Sequence, residues 1–206
     1  MWIFFILASV SVAPAPQPIP SYDSCAALAE QDPGAGRAQA EAWMADGGGR
    51  PAKHCLALAT LGLGSPASAG AILAELAEAE RADPGVAARL YVQSAEAFMQ
   101  AGRRDDALAA LRETYKIIAD APEVHMAAAT IYATAEEWEG VVLTLNALER
   151  YADLSADAFA LRARAYVERG DTLKAAKDVK KALKLDPLLV DALVLRGELL
   201  QAGVKM

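Results

Sequence analysis

The stretch Ala158–Pro187, AFALRARAYVERGDTLKAAKDVKKALKLDP, decides how the rest of this chain is read. Its second half places Lys174, Lys177, Lys180, Lys181 and Lys184 on one side of a helical wheel. Ala175, Val179, Ala182 and Leu183 fall on the other side, so the segment reads as an amphipathic helix. The ERGD break separates it from a preceding helix carrying Ala163 and Tyr166. Stepping back 34 residues from Ala163, Tyr166, Ala175, Val179 and Ala182 gives Ala129, Tyr132, Val141, Leu145 and Leu148. A second step gives Ala95, Phe98, Ala107, Leu111 and Thr114, and one step forward from Ala163 and Tyr166 gives Gly197 and Leu200. Small and bulky residues therefore recur in one register without a gap, which is the mark of a repeat array.

The wider chain agrees. Strand-like runs are nearly absent, and 54% of the 206 residues are apolar, enough to bury a sizeable core. Turn signals such as QDPGAG, DGGGRP, LGSP, ADPG, AGRRD and ERGD cut the sequence after Tyr22 into about eleven short helices. Connections this short make consecutive helices antiparallel neighbours.

The 34-residue helix–turn–helix pattern resembles the tetratricopeptide repeat. The resemblance is carried by the alanines and aromatics above, by Gly102 and Gly170 at the ends of first helices, and by KAAKDVKKALKLDP. It implies an all-α, right-handed superhelix of antiparallel helix pairs, with three repeats at about 88–121, 122–155 and 156–189 and a lone helix over 190–206. Residues 21–87 are expected to form two degenerate repeats. There Ala57, Gly64, Ala69, Leu73 and Leu76 follow the spacing, and Ala26, Ala38, Ala42 and Ala45 sketch a looser unit.

The N-terminal MWIFFILASVSVAPAPQPIP is expected to be a targeting segment rather than part of the fold. Trp2–Ala8 is wholly apolar but far short of the roughly 20 residues that span a bilayer. Small residues and four prolines follow, as in a secretory leader and an extended lead-in over 1–20. Export to the periplasm or outside the cell follows from that reading, with no stable membrane span after processing.

Two cysteines, Cys25 and Cys55, form an even count, which in an exported chain suggests pairing. The resemblance places both near the middle of first helices of adjacent repeats, where their thiols would lie at one height. The alternative is that both are small buried hydrophobes. His54 and His125 lack any metal-ligand spacing and are expected at the surface or at helix starts. DGGGRPAKHC has no phosphate-loop ending. No catalytic constellation, metal site or cofactor motif emerges, and no enzyme activity or cofactor is expected.

Net charge is −7, which argues against bulk nucleic-acid affinity. The charge is uneven: residues 1–155 carry 10 basic against 20 acidic residues, and 156–206 carry 10 against 7. The five lysines read either as a solvated outer face or as a contact for an anionic partner or surface. What the resemblance implies for function is a concave face of first helices that takes a protein or peptide ligand. Projecting the register, that face includes Arg89, Glu96, Met126, Thr130, Arg164, Val194 and Glu198, with Arg89 and Arg164 as carboxylate contacts. The leucine-rich segment 188–200 leaves one apolar side over and is expected to support a homodimer or a docked partner. The leading expectation is a non-catalytic, exported interaction scaffold. The alternative is an accessory or regulatory subunit of an envelope enzyme or an export or assembly machine.

Overall fold

A computed structural model describes residues 21–117 and 121–206. The expected leader over 1–20 lies outside the described residues. Eleven helices run through those that are described: α1 (Tyr22–Gln31), α2 (Pro33–Ala45), α3 (Gly49–Gly62), α4 (Pro66–Ala79), α5 (Pro84–Gln100), α6 (Arg104–Ile117), α7 (Pro122–Thr134), α8 (Trp138–Leu148), α9 (Ala156–Glu168), α10 (Thr172–Leu185) and α11 (Val190–Gln201). Neighbours in sequence pack as pairs, and first helices also touch along α1–α3, α5–α7, α7–α9 and α9–α11. The result is an all-α superhelix, as the repeat register predicts.

Local chemistry sets the helix starts. Ser21, Asp32, Asp83, Ser155 and Asp171 each accept a hydrogen bond from a backbone N–H three residues on, the usual work of an N-cap. Pro33, Pro66, Pro84 and Pro122 occupy the first helical turn, where no backbone donor is lost. Because α5 begins at Pro84, the repeat boundary expected between 87 and 88 falls inside a helix. The Asp83-Pro84 start signal, rather than the alanine spacing, sets that edge.

Helix ends repeat as faithfully as helix starts. Gly102, Glu136 and Gly170 stand 34 residues apart, and all three have positive φ, at 69°, 57° and 78°. In each, the backbone N–H bonds back to a carbonyl three residues earlier, and the next residue's N–H bonds five back. This left-handed turn sends the chain into the second helix of the pair. Glycine enters it freely, but Glu136 brings a Cβ that opposes it.

The crossing positions are small and sealed. Ala95, Ala129 and Ala163 on first helices and Ala107, Val141 and Ala175 on second helices are all fully buried. Phe98 and Tyr166 are buried and Tyr132 is partly buried at the wider positions between them. Toward the N-terminus the expectation needs a correction. Ala38, Ala42 and Ala45 face solvent. The close approach of α1 and α2 is made instead by Ala29, Gly36 and Ala40, and a Cβ on Gly36 would strike the Ala29 backbone. The glycine permits the contact that the alanine spacing alone misplaced.

The core of the third repeat also encloses two charged side chains. Arg162 and Asp178 are each only 3% exposed. The Arg162 guanidinium donates from Nε to Asp178 at 2.7 Å and from a terminal nitrogen at 3.1 Å, a two-point clamp between α9 and α10. Its remaining nitrogen donates to Asn146 at 2.8 Å and to Glu149 at 2.6 Å, which brings in the end of α8. Lys181 also donates to Glu149 at 3.1 Å. Hydrogen bonding to Arg162, with further help from Lys181, holds the Glu149 carboxyl below its ordinary pKa despite partial burial. Thirty-four residues earlier the same two positions are Ala128 and Thr144, both buried. The third repeat thus fills with an ion pair a space that its neighbour fills with smaller, uncharged side chains.

Glu136→Gly relieves the left-handed residue and raises the unfolding free energy by about 1 kcal/mol, read as a higher melting temperature. Asp178→Ala strands a buried guanidinium and lowers stability by about 3–5 kcal/mol in denaturant titration. The paired change Arg162→Ala with Asp178→Thr, which copies the preceding repeat, loses less than Asp178→Ala alone.

Candidate functional site

The first helices line two concavities. The C-terminal one, about 390 Å³, lies between α7, α9 and α11. Met126 and Thr130 come from α7, Ala160, Leu161 and Arg164 from α9, and Val194 and Leu195 from α11. Asp157 and Asp191 complete its rim, each in the first turn of its helix, where a carboxylate complements the helix dipole. Four of the residues projected from sequence, Met126, Thr130, Arg164 and Val194, therefore share one cavity.

Arg164 has a different setting from the one expected of a ligand contact. Its guanidinium donates to both carboxylate oxygens of Glu198, at 2.7 and 3.0 Å, linking α9 to α11. Glu168 adds a longer contact at 3.7 Å. Arg164 and Glu198, both projected as lining, thus reach each other first. A ligand carboxylate here exchanges with Glu198 rather than meeting a bare cation. Such an exposed pair contributes little to stability, so exchanging it is cheap.

The N-terminal concavity, about 660 Å³, lies between α1, α3 and α5 and holds Arg89. Unlike Arg164, Arg89 makes no ion pair among the described residues. Arg50 stands at the same cavity, paired with Glu80 at 2.5 Å. His54 bridges the Tyr22 hydroxyl at 2.9 Å and Gln93 Oε1 at 2.9 Å, so it links three helices there. Sequence alone puts His54 at the surface or at a helix start; it is partly buried, in the second turn of α3. Its signal was available only through the repeat geometry, because Tyr22 and Gln93 lie 32 and 39 residues away. Glu96, the remaining projected residue, lines neither cavity, and partial burial raises its carboxyl pKa.

The other candidate residues fall into place. His125 is buried in the first turn of α7. Cys25 and Cys55 are fully buried on α1 and α3, with Cα atoms 6.0 Å apart and their sulfurs facing, a disulfide-capable pair. The five lysines of α10 are all exposed. Lys174 pairs with Asp171 and Lys181 with Glu149, and Lys181 also lies 4.7 Å from the centre of the Phe159 ring. No group of three or more potential metal ligands occurs among the described residues. No helix among them is long and apolar enough to cross a membrane.

No family model and no curated protein matches the chain in sequence. Solved structures do match in shape. YrrB, described as a TPR protein with an unusual peptide-binding site, aligns over 85% of this chain and 90% of its own, at 14% identity and a TM-score of 0.64. PilF of Pseudomonas aeruginosa aligns over 86% of this chain and 82% of its own, at 16% identity and a TM-score of 0.57. Identities this low speak to the fold. Together with the 34-residue register, they establish that the chain has the fold of the tetratricopeptide repeat proteins.

Proposed function

We propose that this protein is a non-catalytic interaction scaffold that binds an extended protein or peptide segment along its first helices. The observation that carries the reading is the cavity between α7, α9 and α11, where apolar Met126, Leu161 and Val194 stand beside the exchangeable Arg164–Glu198 pair. Arg89 offers a second cation on the same series of helices. The ligand this suits is a segment with an apolar side chain flanked by carboxylates. The similarity to YrrB, whose description names a peptide-binding site, supports the same reading.

We place the protein outside the cytoplasm, in the periplasm or secreted. The leader-like 1–20 and the pairing-ready cysteines support this, since disulfides persist in oxidising compartments. The Cys25–Cys55 bridge then staples the first two helix pairs. The apolar C-terminal segment 188–200 is assigned to self-association. A second reading, an accessory or regulatory subunit of an envelope enzyme or assembly machine, is favoured by the same apolar end if a larger assembly covers it.

Partner capture from cells by photo-crosslinking at Thr130 tests the groove. Arg164→Glu is expected to cut capture about tenfold while leaving the helical signal and melting temperature near wild type. The swap Arg164→Glu with Glu198→Arg restores the internal pair; if it also restores capture, Arg164 does not touch the ligand. For the cysteines, thiol titration of denatured, non-reduced protein is expected to find none free. Reductant is expected to lower stability by about 3–4 kcal/mol, concentrated in α1–α4, because the bond closes a separation of 30 residues. Two free thiols would remove the staple and weaken the case for export.

A further inference from the structure

A smaller cavity, about 260 Å³, opens between the second helices α6 and α8 and shares no residue with either concavity of the first helices. Arg112 and Lys116 reach it from α6, Tyr132 from α7, and Gly140, Leu143 and Thr144 from α8. Burial sorts these residues by depth. Thr144 is 3% exposed and lies deepest, Tyr132 and Gly140 are half-buried, and Arg112, Lys116 and Leu143 are exposed at the mouth. The repeat register explains why the space is open. Thirty-four residues on, Lys174 and Lys177 stand at the positions of Gly140 and Leu143, Asn146 at that of Arg112, and Asp178 at that of Thr144. There Lys174 lies 5.5 Å from the centre of the Tyr166 ring, and Arg162 takes both Asp178 and Asn146. The third repeat uses these positions for its own contacts. In the second, Gly140 brings no side chain, and a Cβ there would strike the Tyr132 ring.

Two polar groups of this cavity lack partners among the described residues. The Thr144 hydroxyl makes no hydrogen bond there, whereas Thr114 and Thr130 each donate to the carbonyl four residues earlier. Its oxygen is not sealed from solvent, and the open side is the cavity that Thr144 lines. Arg112 makes no ion pair. Lys116 pairs with Glu113 at 2.6 Å, but Arg81 also holds that carboxylate, at 3.0 Å. A deep hydroxyl without a partner calls for one from outside, and the cationic mouth sets the charge of whatever brings it.

We propose that this cavity docks a tyrosine side chain of a protein partner, flanked in the partner's sequence by Asp or Glu. The volume suits one side chain and falls short of the roughly 300–1,000 Å³ of small-molecule sites. Tyrosine matches the order of depth: its ring meets Leu143 and the Tyr132 side, and its hydroxyl reaches Thr144. Carboxylates beside it meet Arg112 and Lys116 at the mouth. The site is built on second helices, so it goes beyond the groove reading and leaves the groove free for another segment.

Amide NMR spectra of the full chain, titrated with the N-acetylated, C-amidated tripeptide Glu-Tyr-Glu, test the site. Shifts are expected at Gly140, Leu143 and Thr144. Phenylalanine in place of the peptide tyrosine is expected to weaken binding about fivefold, and alanine to abolish it. Lysines in place of the peptide glutamates are also expected to abolish it. Thr144→Val removes the difference between the tyrosine and phenylalanine peptides, and Arg112→Glu weakens the Glu-Tyr-Glu peptide about tenfold. Neither change breaks an internal bond, and circular dichroism checks the fold. Leu143→Lys copies the third repeat at an exposed position and is expected to weaken binding as well, which keeps the test open if Thr144→Val does not fold. No shift at millimolar peptide overturns the site. Equal binding of the alanine or lysine peptide overturns it too. Shifts confined to the region of Thr130 and Arg164 put the peptide in the first-helix groove, which overturns this site and leaves the groove reading standing.

Discussion

Every pair in this superhelix depends on two helices coming close at a small residue. Ala95, Ala129 and Ala163 each lie beneath a neighbour with no exposed surface. A larger side chain at such a point pushes the axes apart, and dispersion contacts fall off steeply with a gap of even an ångström. The bulky positions three residues on, Phe98, Tyr132 and Tyr166, then fill the space that the close crossing leaves between repeats. Register and shape are thus one constraint. Once the crossing repeats every 34 residues, with a left-handed turn after each first helix, the pairs stack in order and each contacts mainly its neighbours.

That constraint explains what the sequence made legible. Periodic small and bulky residues announced the repeat register, turn signals announced about eleven helices, and glycines at the turns announced where first helices end. Reading failed where a different residue type performs the same task. Gly36 rather than an alanine makes the α1–α2 contact, so the spacing of Ala38, Ala42 and Ala45 misled. Glu136 adopts the glycine conformation without being glycine. Arg162 and Asp178 are charged and sat among exposed lysines and arginines in the sequence, yet they are core. Nothing in a one-dimensional pattern distinguishes a buried ion pair from two surface charges until the partners are brought within 2.7 Å.

The candidate site follows the same division. Four of its residues could be projected because first helices present equivalent positions to one side. Their pairing could not. Arg164 and Glu198 are 34 residues apart, one full repeat, so the superhelix stacks them and makes the groove's cation share its charge with the wall. Asp157 and Asp191 are likewise one repeat apart and line the same cavity. Arg89 occupies that position of the register two repeats before Asp157. This one register position therefore changes from a cation on α5 to carboxylates on α9 and α11, while Arg164 keeps a cation in the C-terminal cavity.

A one-dimensional array is weakest at its ends, because a terminal repeat has one neighbour instead of two. The two ends of this chain meet that problem with different chemistry. At the N-terminal end, α1, α2 and α3 bury a small cluster built from Cys25, Ala29, Ala40, Cys55 and Ala59, with Trp43, Leu56 and Leu58 packed against it. The disulfide-capable Cys25–Cys55 pair and the Tyr22–His54–Gln93 hydrogen bonds link α1, α3 and α5 there. At the C-terminal end, α11 packs well on its inner side but carries an outer side as apolar as an interior repeat. Val190, Leu193, Val194 and Leu200 stay exposed around Gly197, where an added Cβ would meet nothing within 4 Å, so the two ends differ in kind: cross-linking side chains at one, an open apolar side at the other.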